Sequence, residues 1–280
     1  MNIGITGATG FVGRRLTQRL QSEAHAVRAI SLRTPPVPSD LAGCDAIVHL
    51  AGEPVAQRWT RTAKQKILDS REKGTRLLVE AMRQSPPGVL VSASAVGYYG
   101  SRGDEVLTER SSPGNDFLAD VCIAWEREAL EAEKLGVRVA TLRIGMVLGA
   151  GGGALAKMLT PFRLGLGGRI GSGRQWMAWI HLKDLCNLIL FALSERGVSG
   201  ALNAASPNPV TNADFTHALA RALHRPAVLP VPSAALKLLF GEMSGVLLAS
   251  QRVVPEATLR AGFAFQHADI GEALGDILSV

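Results

Sequence analysis

The chain has 280 residues, 47% of them apolar and 19% charged, which is enough to bury a sizeable core in one large domain or two intimate ones. It contains no uncharged apolar run approaching the ~18 residues that cross a bilayer. The net charge of +6 sits wholly in the first third, where residues 1–90 hold 13 Lys/Arg against 7 Asp/Glu and residues 91–280 hold 17 of each. With no dense basic run and only two tyrosines and eight phenylalanines, this bias argues against nucleic acid as partner and for a phosphate-bearing small molecule.

Residues 2–6 (NIGIT) predict a short apolar strand, and residues 12–23 have helical spacing with Val12, Leu16 and Leu20 on one face. Strands follow at 26–32, halted by Thr34-Pro35-Pro36-Val37-Pro38, and at 45–50, ending in Ala51-Gly52. A helix over about 60–84, a strand at 88–94, a helix over about 116–135 and a strand at 137–143 complete an alternation that builds a Rossmann-type, doubly wound parallel sheet. Residues 1–150 therefore form one nucleotide-binding unit. Beyond Gly149 the glycines at 151–153, 165, 167, 168, 171 and 173 predict a loop-rich stretch. Helices are expected at 184–194, capped by Asp184, and at 211–224, starting at Thr211-Asn212. The apolar stretch 234–254 is expected to supply core or a homo-oligomer contact rather than a membrane surface. Met1 passes straight into a strand with no basic flank, so no export signal is expected. Cys44, Cys122 and Cys186 have no paired spacing, so neither a disulfide framework nor a metal site is expected; they read as reduced thiols in a cytoplasmic protein.

Thr6-Gly7-Ala8-Thr9-Gly10-Phe11-Val12-Gly13 carries a G-x-x-G-x-x-G spacing directly after a strand and at the start of a helix. Glycines there permit a tight turn and close approach of backbone to a pyrophosphate, whose charge meets free N–H groups and the positive helix end. No Gly-Lys-Ser/Thr follows, which excludes a Walker-type loop. In NAD-selective proteins a carboxylate near the end of the second strand holds the ribose hydroxyls. Here no Asp or Glu occurs between Glu23 and Asp40, and Ser31 and Arg33 stand where the strand ends. A hydroxyl and a guanidinium suit a 2′-phosphate, so the predicted cofactor is NADP(H).

TGATGFVG, HLAGE at 49–53 and SASAVGYYG at 92–100 resemble the extended short-chain dehydrogenase/reductase superfamily. The run KMLTPFRLGLGGRIGSGRQWMAWIHLKDL (157–185), with LHRP at 223–226 and SQRVVP at 250–255, is similar to its NAD-dependent epimerase/dehydratase-like subgroup, the SDR39U family. The resemblance implies an NADP-binding Rossmann domain over 1–150, completed by roughly 177–205, with a small, mostly helical substrate lobe from 151–176 and 206–280. It also implies cofactor contacts at Ser31 and its basic neighbour, Leu50, Ala51, Gly52, Arg71, Ser92 and Val147. One departure is visible: the family's arginine commonly follows the serine directly, whereas here Leu32 intervenes before Arg33.

Superfamily chemistry uses a tyrosine as general acid/base, a lysine four residues on along one helix face, and a serine that positions the substrate. Four residues after the two tyrosines, Tyr98 and Tyr99, stand Arg102 and Gly103, so the dyad is absent. Ser94 matches the serine by position, with Tyr98 or Tyr99 as acid against the alternative of a packed aromatic. Glu126 and Asp116 rank below them, as an exposed helix charge and a cap. Trp179, His181 and Asp184 resemble the segment that closes the substrate pocket. Arg163, Arg169 and Arg174 around the glycines 165–173 fit an anionic small-molecule substrate, such as a nucleotide sugar. The expected function is an NADP(H)-binding oxidoreductase or epimerase-like protein, with a non-catalytic NADP(H)-binding redox sensor or assembly partner as the alternative.

Overall fold

A computed structural model describes residues 1–279. In chain order, β1 (Asn2–Thr6), α1 (Phe11–Ser22), β2 (Ala26–Ile30), α2 (Pro38–Leu41), β3 (Ala46–His49), α3 (Arg61–Met82) and β4 (Val89–Ala95) form the first half of the sheet. A 3-10 turn at Val96–Tyr99, β5 (Val106–Leu107), α4 (Phe117–Leu130), a 3-10 turn at Glu131–Leu135, β6 (Arg138–Ile144) and β7 (Met146–Leu148) follow. Then come α5 (Gly153–Arg163), β8 (Trp176–Met177), β9 (Trp179–His181), α6 (Leu182–Ser194), β10 (Gly200–Ala204), β11 (Val210–Thr211) and α7 (Asn212–Leu223). The chain closes with α8 (Ser233–Phe240), α9 (Ser244–Leu248), β12 (Arg252–Val253), α10 (Glu256–Arg260) and α11 (Ile270–Leu278).

Six strands pair in the order β10-β6-β4-β3-β1-β2, every neighbour parallel. Strands of a parallel sheet are covered on both faces, which is why they appear as near-continuous apolar runs. The two-residue side-chain period sorts them. Ile3, Ile5, Ala46, Val48, Val89, Val91, Ala140 and Leu142 join Leu16 and Leu20 of α1 and Leu185, Leu188 and Ile189 of α6 in one core. Ile47, Leu90 and Val139 face the other way, with Leu78, Val79 and Met82 of α3 and Ala129 of α4. A separate core around Trp179 and Phe215 ties α5, α7 and α11 together. Among the described residues no helix is long and apolar enough to cross a membrane.

Five expectations need correction. The second strand stops at Ile30 rather than residue 32, because half-buried Leu32 packs against the α3 side of the sheet instead of continuing the pairing. The long fourth helix ends at Leu130 and tightens into a 3-10 turn that Gly136 terminates in the left-handed region. The stretch after Gly149 contains α5, which the glycines flanking it disguise. The cap of α6 is His181, whose Nδ1 accepts the Lys183 N–H at 3.1 Å; Asp184 lies in the first turn, fully buried, and its carboxylate accepts the Gln266 and His267 N–H groups at 3.0 and 2.9 Å. The apolar stretch 234–254 is only partly core, since Leu238 and Leu239 of α8 are 83% and 66% exposed.

Candidate functional site

The carboxyl ends of β1, β3, β4 and β6 carry polar residues on the face covered by α3 and α4. The same alternation that points Ile47, Leu90 and Val139 at these helices brings Thr6, His49, Ser92, Ser94 and Arg143 to that face one or two pairs further on.

The turn from β1 into α1 is built around missing side chains. Gly7 has φ +73°, and a Cβ there would lie 2.9 Å from the Leu50 carbonyl carbon and the Ala51 nitrogen. A Cβ at Gly13 would overlap the Gly7 carbonyl oxygen and lie 2.8 Å from Ala8 Cα. These close approaches pull the start of α1 against the end of β3. Gly10, the residue preceding α1, supplies no side-chain cap, and the helix has no acidic residue in its first turn. The early N–H groups at Phe11, Val12 and Gly13 thus form a helix N-terminus with no carboxylate in its first turn, beside exposed Thr9 and Gly10. This cradle fits a pyrophosphate. Phe11 links it to the second half of the chain: Cβ atoms at Gly149 and Gly153 would lie 3.1 and 2.9 Å from its ring, so the glycines after β7 make room for that ring beside Val147.

At the end of β2, Ser31 and Arg33 are both exposed while Leu32 turns inward, and the Arg33 N–H donates to Ser31 Oγ at 3.2 Å. Arg33 has no carboxylate partner among the described residues. The nearest acidic residue ahead, Asp40, is committed to the Val37 N–H at 2.9 Å. Arg14 donates to the Thr9 carbonyl at 3.0 Å and so braces the glycine turn.

His49 was missed in the sequence. It is fully buried, with Nδ1 2.6 Å from Thr6 Oγ1 and Nε2 2.9 Å from Thr75 Oγ1. Thr6 Oγ1 already accepts the Leu50 and Ala51 N–H groups, each at 3.2 Å. It therefore gives its own proton to Nδ1, and the imidazole proton lies on Nε2, directed at Thr75. Burial, reinforced by the Arg71 guanidinium, pushes the His49 pKa down to about 3, so the ring is neutral. This relay fixes the backbone N–H groups of Leu50 and Ala51. Arg71 extends the same turn: it donates to the Glu53 carbonyl at 3.0 Å, lies over the Trp125 ring at 4.9 Å, and crowds Gly52, where a Cβ would be 3.0 Å from its Cζ.

Around Ser94 the groups satisfy one another. Ser94 Oγ donates to Glu126 Oε1 at 2.6 Å, and Arg143 donates to both Glu126 oxygens at 2.9 Å. Glu126 is buried, not an exposed helix charge; its partner lies on β6, out of reach of any local sequence pattern. Arg143 also donates to Tyr99 Oη at 3.0 Å, and Tyr99 donates to Asn203 Oδ1 at 2.7 Å. Burial outweighs these favourable contacts and pushes the Tyr99 pKa up to about 12. Tyr98 lies against the Arg143 guanidinium, 3.5 Å from its ring centroid, and lines a depression with Ile123, Glu126 and Arg127. Asp116 caps α4 by accepting the Ala119 N–H at 2.9 Å. Leu118 and Cys122, one turn apart on α4, approach the turn that follows β4: a Cβ at Gly97 would be 3.3 and 3.8 Å from them. Burial pushes the Cys122 thiol up to about 11, so it stays protonated. An isobutyl group and a thiol thus occupy this i, i+4 face of α4, beside the turn that follows β4. Ser92 is fully buried, its hydroxyl turned to the Ala93 carbonyl at 3.2 Å.

Comparison with known proteins places these features in context. Residues 3–205 match the model of the NAD dependent epimerase/dehydratase family, and residues 231–277 match a domain of unknown function, DUF1731. The chain is 42% identical to the chloroplastic SDR39U1 homolog of Arabidopsis thaliana, an epimerase family protein, across 99% of this chain and 87% of that one. It is 38% identical to human epimerase family protein SDR39U1 across 100% of both. The crystal structure of human SDR39U1 (isoform 2) with NADPH matches with a TM-score of 0.92 at 37% identity, covering 100% of this chain and 99% of that one. UDP-glucose 4-epimerase from Thermotoga maritima, at 17% identity and a TM-score of 0.81 over 100% of this chain and 98% of that one, shares the fold.

Proposed function

The chain belongs to the NAD dependent epimerase/dehydratase family, and from that premise we propose that it is an NADP(H)-binding oxidoreductase or epimerase-like enzyme acting on a small anionic molecule. The observation that carries the cofactor reading is the uncapped, glycine-cradled start of α1 next to a β2 end that offers Ser31 and Arg33 without a carboxylate. The NADPH in the structure of human SDR39U1 supports it. In this reading the Gly7–Gly13 turn holds the pyrophosphate, Ser31 and Arg33 hold the 2′-phosphate, and Leu50, Ala51, Gly52, Arg71, Ser92 and Val147 line the rest of the dinucleotide. When bound, the nicotinamide gives or takes a hydride. The exposed Arg163, Arg169 and Arg174 supply the positive charge that selects an anionic substrate.

A second reading, a non-catalytic NADP(H)-binding redox sensor or assembly partner, is favoured by one observation: the Ser94 and Tyr99 hydroxyls are buried and already donate to Glu126 and Asn203. Screening carbonyl substrates for NADPH oxidation, with Ser94→Ala, Tyr98→Phe and Tyr99→Phe in parallel, separates the two. Turnover lost in one of these variants supports an enzyme using that hydroxyl. Turnover retained in all three removes them from the chemistry, and no turnover with any substrate favours the sensor.

A further inference from the structure

Where α6 begins, two imidazoles stack with centroids 3.9 Å apart and planes 18° from parallel. His181 comes from the β9–α6 junction and His267 from the segment before α11. His181 is 2% exposed, and its Nε2 has no hydrogen-bond partner; the same holds for buried His267 Nδ1. Asp276 of α11 completes the group, with Oδ2 3.4 Å from His181 Nε2 and 3.9 Å from His267 Nε2. One donor atom from each residue lies within 4.8 Å of the others. We propose that His181, His267 and Asp276 form a site for a zinc-like divalent ion that clasps the start of α6 to α11.

Two nitrogens and one carboxylate select zinc, cobalt or nickel over magnesium or calcium. His267 Nδ1 lies 3.6 Å from buried Asp184 Oδ2 without a hydrogen bond, and its Nε2 lies on the Asp276 side. A carboxylate that accepts the Nδ1–H of a ligating imidazole fixes its tautomer and orientation, and Asp184 stands where a turn of the His267 ring would make that bond. Loading requires two adjustments. Lys183, whose ammonium sits 2.7 and 2.8 Å from the Asp276 oxygens, must leave them. His181 must move its proton to Nδ1 and release the Lys183 N–H, and its ring and that of His267 must turn out of the stack so that both lone pairs converge. Lys183 is thus a competitor for the ion, and the site's affinity is set against it.

The test is calorimetric titration of zinc chloride into the EDTA-treated full chain at neutral pH. Wild type binds one ion; His267→Ala weakens binding about tenfold or more, and Lys183→Met, which frees Asp276, tightens it. At one fixed zinc concentration, zinc also raises the melting temperature of wild type more than that of His267→Ala, while NADPH affinity stays equal in the two. If His267→Ala does not fold, His267→Gln takes its place. Absence of binding by wild type, zinc binding undiminished by loss of His267, or weaker binding by Lys183→Met each overturns the proposal.

Discussion

Arg33→Ala tests the proposed 2′-phosphate contact. The side chain is exposed and makes no ion pair among the described residues, so its removal leaves folding stability within about 0.5 kcal/mol. A hydrogen bond to a charged group contributes about 1.5–3 kcal/mol. Exposure and salt screening place this one at the lower end, and about 1.5 kcal/mol is about a tenfold change in affinity. Fluorescence titrations should therefore show NADPH binding weakened about tenfold in Arg33→Ala, with NADH binding unchanged because it has no 2′-phosphate. Raising the salt should shrink the NADPH difference. Equal losses for both cofactors, or no loss for either, would refute the reasoning, the first by making Arg33 a general support of the turn and the second by leaving it in solvent.

Gly13→Ala forces a Cβ into the Gly7 carbonyl and the Ala8 backbone; overpacking of this kind costs about 1–3 kcal/mol, so NADPH affinity should fall about tenfold in a protein whose circular dichroism is native, and retained affinity would mean the turn does not cradle the cofactor. Glu126→Ala strips a buried guanidinium of its carboxylate, a loss of about 3–5 kcal/mol readable as a lower denaturant midpoint; a change below about 1 kcal/mol would show Arg143 repartnered. The pH prediction concerns His49. Its folded pKa of about 3 lies below the free value of 6.5, so the neutral ring's contribution is full above pH 6.5 and is lost as pH falls toward 3. At pH 5 the loss is about 2 kcal/mol, and denaturant unfolding at pH 7.5 and 5 should show a smaller drop in His49→Gln than in wild type.

The sheet was legible because parallel strands covered on both faces leave unbroken apolar runs, and the glycine turn because its spacing coincides with a strand-to-helix boundary. Failures came where a partner lies far along the chain. By residue type Asp184 is the cap to expect; what gives the role to His181 is the demand of the Gln266 and His267 N–H groups for the Asp184 carboxylate, about 80 residues away in sequence. Glu126 resembles a solvated helix charge until Arg143 is placed beside it by the pairing of β4 with β6. His49 had a weak signal: a polar residue closing an apolar strand, which the alternation of Ile47 and His49 directs at α3 rather than at solvent.

The polar ends of the strands fall into two groups with different work. Thr6, His49 and Thr75 pass their protons inward, and the result is a backbone of Leu50 and Ala51 held against Gly7. Such preorganisation favours ligand binding because the ordering cost is met during folding. Ser94, Glu126, Arg143, Tyr99 and Asn203 form a second chain in which each donor also has an acceptor within the protein. A hydroxyl that donates to a buried carboxylate at 2.6 Å is not free to donate to a substrate without giving up a charge-assisted bond. For the enzyme proposed above, this arrangement assigns proton transfer to a group other than Ser94 or Tyr99. Of the candidates at this end of the sheet, Tyr98 lays its ring against Arg143, and its hydroxyl donates to no acceptor among the described residues. Tyr98→Phe is therefore the variant on which an enzymatic reading depends most directly: loss of turnover with unchanged NADPH affinity would place the proton there, and full turnover would leave the reaction without a phenol.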